Sequence, residues 1–173
     1  MDKQMKFHTL FFFFFCILNL FSQEEDFRDW LPHEVEYYKN LKGLAEYVNA
    51  RDKSDISKDT LFKKYIYVDS DTLKHKGTLY DMENFDTIFS FIPATIKKVG
   101  IQNLDAKPLR FYKQHEIYRP FQSALKRVVP FVMVYYRKER PDEPLGTLLF
   151  EPKTHKLHSW ILLSQGDSGW YYL

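Results

Sequence analysis

The sequence holds one cysteine in 173 residues and only six glycines. The cysteine, Cys16, sits in an apolar stretch from Leu10 to Leu18, directly after the unbroken run Phe11 to Phe15. The chain beyond residue 22 therefore has no thiol, which excludes disulfides, thiol nucleophiles and cysteine-ligated zinc from it. The few glycines form no G-x-G-x-x-G, no G-x-x-x-x-G-K-[ST] and no G-x-S-x-G. The common nucleotide-binding fingerprints and the strained serine elbow are thus missing. Charge of one sign is lacking as well. The 25 Lys and Arg stand against 23 Asp and Glu, a formal net charge of +2, which is too balanced for a nucleic-acid arm or an acidic tail. A long apolar run is absent too, because Leu10 to Leu18 falls well short of the ~20 residues that a membrane-spanning helix needs.

What the first residues do carry is an address. Lys3 and Lys6 precede the apolar stretch, Asn19 interrupts it, and Gln23, Glu24, Glu25 and Asp26 follow. A positive start, an apolar centre and a small residue before the cut make a secretory signal, with Ser22 as that small residue if cleavage falls between Ser22 and Gln23. The stretch resembles bacterial export leaders, including those in which Gln begins the mature chain. Five consecutive Phe leave no polar face for a helix at a protein surface, which disfavours a short buried helix. Phe13, Phe14 and Phe15 before Cys16 do not match the small-residue pattern of a lipid-modified cysteine. The expectation is residues 1–22 as signal peptide, residues 23–173 as one α+β domain, and export to the periplasm or outside the cell. The membrane is then met only through the export signal. Removing 22 of 173 residues leaves 151, enough to bury about two thirds of the chain surface without a disulfide.

Beyond the leader the apolar spacing is helical first. Val35, Tyr38, Leu41, Leu44, Tyr47 and Val48 recur at three and four residues, with Glu34, Glu36, Lys39, Lys42 and Glu46 on the other side. Pro32 suits the first turn of that helix. A second helix is predicted over Lys58 to Tyr65 with Ser57 as N-cap, and a third over Asp81 to Ile92, ended by Pro93. After Pro93 the period shortens to two. Strands are predicted at Thr95 to Gln102, Leu109 to Lys113, Val128 to Arg137, Leu145 to Glu151 and Leu157 to Ser164, with Lys138 to Pro144 as a loop. The turn Gly166-Asp167-Ser168-Gly169 leads into Trp170 to Leu173. Val128 to Arg137 is apolar on both faces and should be central. Short connections pair such strands as hairpins, so the fold class is α+β, with N-terminal helices packed on a curved, mainly antiparallel C-terminal meander. This element order is similar to the cone-shaped fold of the SnoaL-like and nuclear-transport-factor-type families, in which helices close a curved sheet around a pocket. The resemblance implies a pocket enzyme with a His or Asp general base, for which His158, His115 and Asp86 are available. No motif carries a catalytic residue across, and the catalytic residues are left unassigned.

Each chemistry-bearing cluster has a plainer reading. His155 and His158 stand three apart beside Glu151, but Pro152 and its neighbours place His155 in a turn and His158 on a strand, so no shared face follows and no metal is expected. Starting a calcium loop at Asp69-Ser70-Asp71 puts Lys74 where Gly is required and Tyr80 where Glu is, so an Asx-turn is the better reading. A carboxylate pair for glycoside hydrolysis needs closeness in space rather than a sequence spacing, and Asp81, Glu83 and Asp86 are available for one, but on a helix Glu83 and Asp86 read as a solvated face. Scattered basic residues beside Phe111, Tyr112, Tyr118 and Phe121 read as exposed strand charges, with no nucleic-acid partner. No cofactor is called for.

What remains is an aromatic excess. Seven of the 16 Phe belong to the leader, while all 12 Tyr and three Trp lie beyond it. Amphipathic rings collect where an apolar wall meets water, at a pocket mouth or an interface. The sequence thus points to a non-catalytic module of the cell envelope that binds a small apolar or aromatic ligand, or another envelope protein. His158, Trp160, Tyr135, Phe111 and His115 are its candidate ligand-binding residues. The end Trp170-Tyr171-Tyr172-Leu173 must bury its rings or meet a partner, and a homodimer is one way to cover it.

Overall fold

The computed structural model describes residues 26–68, 82–165 and 167–171. The leader, the Asp69-Ser70-Asp71 turn, Asp81 and the Glu83 side chain lie outside the described residues. Helix α1 (Pro32–Asn49) starts with proline at its head, and Glu34 Oε2 accepts the Leu31 N–H at 2.7 Å. Its buried stripe is Glu34, Tyr37, Tyr38, Leu44 and Val48. Glu34 is therefore not on the solvated face where its charge suggested it would lie. Only 2% exposed, its carboxylate accepts Arg110 Nε at 2.7 Å and Arg110 Nη2 at 2.9 Å. The same Nη2 donates to the Asp29 carbonyl, and the guanidinium lies 4.4 Å from the centre of the Phe111 ring. A pattern of apolar positions cannot show such a site, because the partner that makes the burial tolerable comes 76 residues later.

Helix α2 (Lys58–Lys64) is capped as expected, Ser57 Oγ accepting the Thr60 N–H at 3.3 Å. The third predicted helix proves to be two. α3 (Met82–Phe89) stops at Ser90, and α4 (Phe91–Val99) continues through the proline that was expected to end it. Pro93 falls in the first turn of α4, where a missing N–H removes no intrahelical bond. The Thr95 to Gln102 strand is thereby overturned: those residues are helix and then a 3₁₀ turn at Ile101–Asn103. Gly100 closes α4 with φ at 86°, its N–H donating to the Ile96 carbonyl at 2.8 Å.

Four strands make the main sheet in the order β1 (Leu104–Pro108), β2 (Val132–Arg137), β3 (Arg140–Phe150) and β4 (Leu157–Ser159), each antiparallel to its neighbour. β2 is central, as its two apolar faces required. Leu109 to Lys113 is no strand, since Leu109–Tyr112 forms a 3₁₀ turn just after β1. The first half of the Val128 to Arg137 prediction is also 3₁₀, with Pro130 inside it. β3 reaches back through the segment read as a loop, turning at Lys138 and Glu139. The Leu157 to Ser164 strand breaks at Trp160 and Ile161, and the chain leaves the sheet to form a separate hairpin of β5 (Leu162–Gln165) and β6 (Ser168–Tyr171).

Alternation along the strands sends side chains into two cores. On the helix side Ala106, Met133, Leu148 and Phe150 pack with Tyr37, Leu44, Leu61 and Phe85. On the other side Val132, Val134, Tyr136 and Leu149 meet Leu109, Tyr112, Phe121 and Tyr171 from the 3₁₀ turns and the hairpin. Tyr171 fastens the hairpin by donating to Thr147 Oγ1 at 2.9 Å, and Asp167 accepts from Arg119 at 2.6 Å and from Ser123 at 2.9 Å.

Buried phenols give this packing a pH dependence. Burial pushes the hydroxyls of Tyr37 and Tyr112 up to about 12, and it raises Tyr135 and Tyr171 as well. An unfolded chain ionises its tyrosines near ~10. The contribution to stability is therefore complete below pH ~10 and is lost as pH rises toward and through about 12. Tyrosinate absorbance and loss of circular dichroism should rise together in that window. Ionisation of every tyrosine near ~10 with the fold intact would contradict the burial of these rings.

Candidate functional site

The helix-side layer does not close completely over the sheet. A groove of about 980 Å³ runs between α1, α4 and the sheet. Its walls are Tyr38, Leu41 and Ala45 from α1, Phe91, Ile92 and Ile96 from α4, Ala106, Tyr135, Gly146 and Leu148 from the sheet, and Trp160, Ile161 and Leu162 beyond β4. Two local features make the space. Small residues stand at Ala45, Ala106 and Gly146, where larger ones would fill the gap between helix and sheet. β4 pairs only with Leu149 and Phe150 of β3, so that at Leu145 to Leu148 the wall of the groove is an unpaired strand edge among the described residues.

The groove is apolar with few convergent polar groups, the composition of small-molecule sites, and its size lies at the upper end of their usual ~300–1,000 Å³. Lys42 and Lys138 are balanced by Glu46 and Asp105 among its lining residues, so no net field favours one sign of charge. Asp105 Oδ1 is already engaged, accepting Tyr38 O–H at 3.1 Å and the Ala106 N–H at 2.8 Å. Tyr135 lies across Gly146, its cross-strand partner. A Cβ at Gly146 would come 2.8 Å from the Tyr135 ring and 3.0 Å from its hydroxyl. Gly146→Val should accordingly cost about 1–3 kcal/mol through overpacking and shift the ring, seen as a lower denaturation midpoint. An unchanged midpoint would show that Tyr135 does not rest there. Trp160 is anchored at the groove's other wall by donating its indole N–H to the Ile88 carbonyl at 3.1 Å.

Of the five residues singled out in the sequence, the fold brings Tyr135 and Trp160 together here. His158 points elsewhere, its ring edge-on to Tyr67 at 5.1 Å. His115 caps the 3₁₀ turn Glu116–Gln122, its Nδ1 accepting the Ile117 N–H at 3.0 Å. Phe111 is 45% exposed beneath Arg110. Asp86 is held in an ion pair with Lys58 at 2.7 Å. None of the three residues available as a general base lines the groove. Sequence reading missed Ala45, Gly146 and the α4 wall. The α4 signal was present in Phe91, Ile92, Thr95 and Ile96, whose spacing repeats after four residues, but Pro93 obscured it.

Among the described residues no group of three or more His, Cys, Asp or Glu is placed to hold a metal ion. No helix among them is long and apolar enough to cross a membrane. Comparison with family models, with curated proteins and with solved structures found no match. The likeness to cone-shaped folds therefore extends no further than helices preceding a mainly antiparallel sheet.

Proposed function

We propose that this chain is an exported bacterial binding module of the cell envelope, periplasmic or extracellular, that holds a small apolar or aromatic ligand in the groove between α1, α4 and the sheet. One observation carries the reading: an apolar space of about 980 Å³, walled by Leu41, Ile92, Ile96, Leu148 and Trp160, with Tyr135 as the one tyrosine that the sheet contributes to its lining. The leader-like residues 1–22 support the destination. A binding role without chemistry fits the position of His158, His115 and Asp86 outside the groove.

Titration of the protein with N-phenyl-1-naphthylamine, an uncharged apolar dye, tests the reading, because Trp160 in the groove wall is an energy-transfer donor to a dye seated there. Saturable uptake with quenching of tryptophan emission is expected, and its absence from the folded protein would sink the proposal. Export has its own check. Mass spectrometry of protein recovered from an expressing bacterium should find a chain beginning at Gln23, whereas an intact Met1 chain held in the inner membrane would overturn the cleavage.

A second reading, a protein partner or a second copy of the chain, draws on the hairpin. Leu163 and Trp170 are cross-strand partners there, 41% and 55% exposed. Trp170→Ser, which leaves the buried Tyr171 in place, should abolish any concentration-dependent dimer seen by sedimentation.

A further inference from the structure

Resting on the groove reading, we infer that the ligand is a neutral apolar molecule carrying one carbonyl-type oxygen, an acyl ester or a close equivalent, whose oxygen accepts a hydrogen bond from Tyr135 while its hydrocarbon part lies along α1 and α4. The hydroxyl of Tyr135 has no hydrogen-bond partner among the described residues, although its residue lines the groove and its ring is pinned over Gly146. The other polar groups nearby are differently placed. Tyr38 O–H already donates to Asp105, the indole N–H of Trp160 to the Ile88 carbonyl, and Thr147 Oγ1 accepts from Tyr171 on the far side of the sheet. Among the described residues of β1, β2 and β3 that line the groove, Tyr135 is thus the one side-chain donor left for a ligand, while Lys42, Asn49, Thr95, Gln102 and Lys138 line it from the helices and turns. A phenol flanked by apolar walls stays protonated, and burial raises the Tyr135 ionisation further, so it offers a proton at every physiological pH.

Desolvation in the apolar groove disfavours an anion. A free carboxylate reaching Tyr135 would give up its hydration between Leu148 and Ala106, with Lys42 and Lys138 offset by Glu46 and Asp105. A neutral oxygen loses far less on entry, and one hydrogen bond restores most of it. The groove volume accommodates a medium acyl chain, whose methylenes gain by leaving water.

Competition against a groove-bound fluorescent dye tests this with a hydrocarbon, a methyl ester and a free fatty acid of one chain length, each against the wild-type protein and Tyr135→Phe. The ester should bind wild type about fivefold more tightly than the hydrocarbon, the worth of one neutral hydrogen bond. The free acid should bind more weakly than the ester. In Tyr135→Phe, which keeps the ring over Gly146, the ester's advantage over the hydrocarbon should vanish while hydrocarbon affinity holds. A free acid preferred over the ester, or an ester advantage that survives Tyr135→Phe, would overturn the assignment and leave the groove as a general apolar site. Failure of all three compounds to displace the dye would remove the groove reading together with it.

Discussion

Arg110→Ala is expected to lower the unfolding free energy by about 3–5 kcal/mol, because it leaves the Glu34 carboxylate buried without its partner. The two guanidinium bonds to Glu34 are the only charged contacts reaching that carboxylate among the described residues, and the remaining donor is the Leu31 N–H. Denaturant unfolding at neutral pH measures the loss. The double variant Glu34→Gln with Arg110→Met should recover much of the deficit, since an uncharged amide retains the bond to Leu31 and methionine replaces the aliphatic stem. A loss below ~1 kcal/mol would mean that the pair behaves as a surface ion pair, and that α1 is fixed by its apolar stripe alone.

Phe150→Ala should cost about 3–5 kcal/mol. The ring is 1% exposed and stacks on Tyr37 with centroids 4.7 Å apart and planes at 16°, joining β3 to α1 at the floor of the helix-side core. Truncation leaves a cavity that neither partner can collapse to fill, because Tyr37 is itself held between His33 and His155. A lower thermal midpoint with an unchanged dependence on denaturant is the expected signature. A loss near ~1 kcal/mol would indicate that α1 moves to close the gap.

Both positions show what sequence patterning carries and what it cannot. α1 was legible because its apolar spacing is regular and Pro32 agrees with it at the head, and the central β2 because Val132 to Arg137 is apolar on both faces. α4 was obscured, since Pro93 lies inside it and the β-branched Ile92, Thr95, Ile96 and Val99 favour a strand locally, against the four-residue repeat of Phe91, Ile92, Thr95 and Ile96. The Glu34–Arg110 pair was hidden because a charge reads as surface until its partner is placed in space. The groove was hidden for a different reason. It is made by side chains that are small or missing at Ala45, Ala106 and Gly146, and an absence of volume has no periodicity. Tyr135 and Trp160 are amphipathic rings of the kind that mark a boundary between apolar wall and water, and both line the groove. His158, His115 and Phe111 were singled out by residue type alone, and the fold sets them outside the groove against Tyr67, Ile117 and Arg110 respectively.

The groove itself is tested most directly by filling it. Ala45→Trp places an indole between α1 and the sheet, in a groove whose lining does not include Glu34, Arg110 or Phe150. Binding of a medium-chain methyl ester to the full chain, followed by native mass spectrometry alongside denaturant unfolding, should show one molecule per wild-type chain and at least tenfold weaker uptake by the variant, about 1.4 kcal/mol, with both proteins folded. Equal uptake by wild type and Ala45→Trp would place the ligand elsewhere and contradict the groove as the binding site.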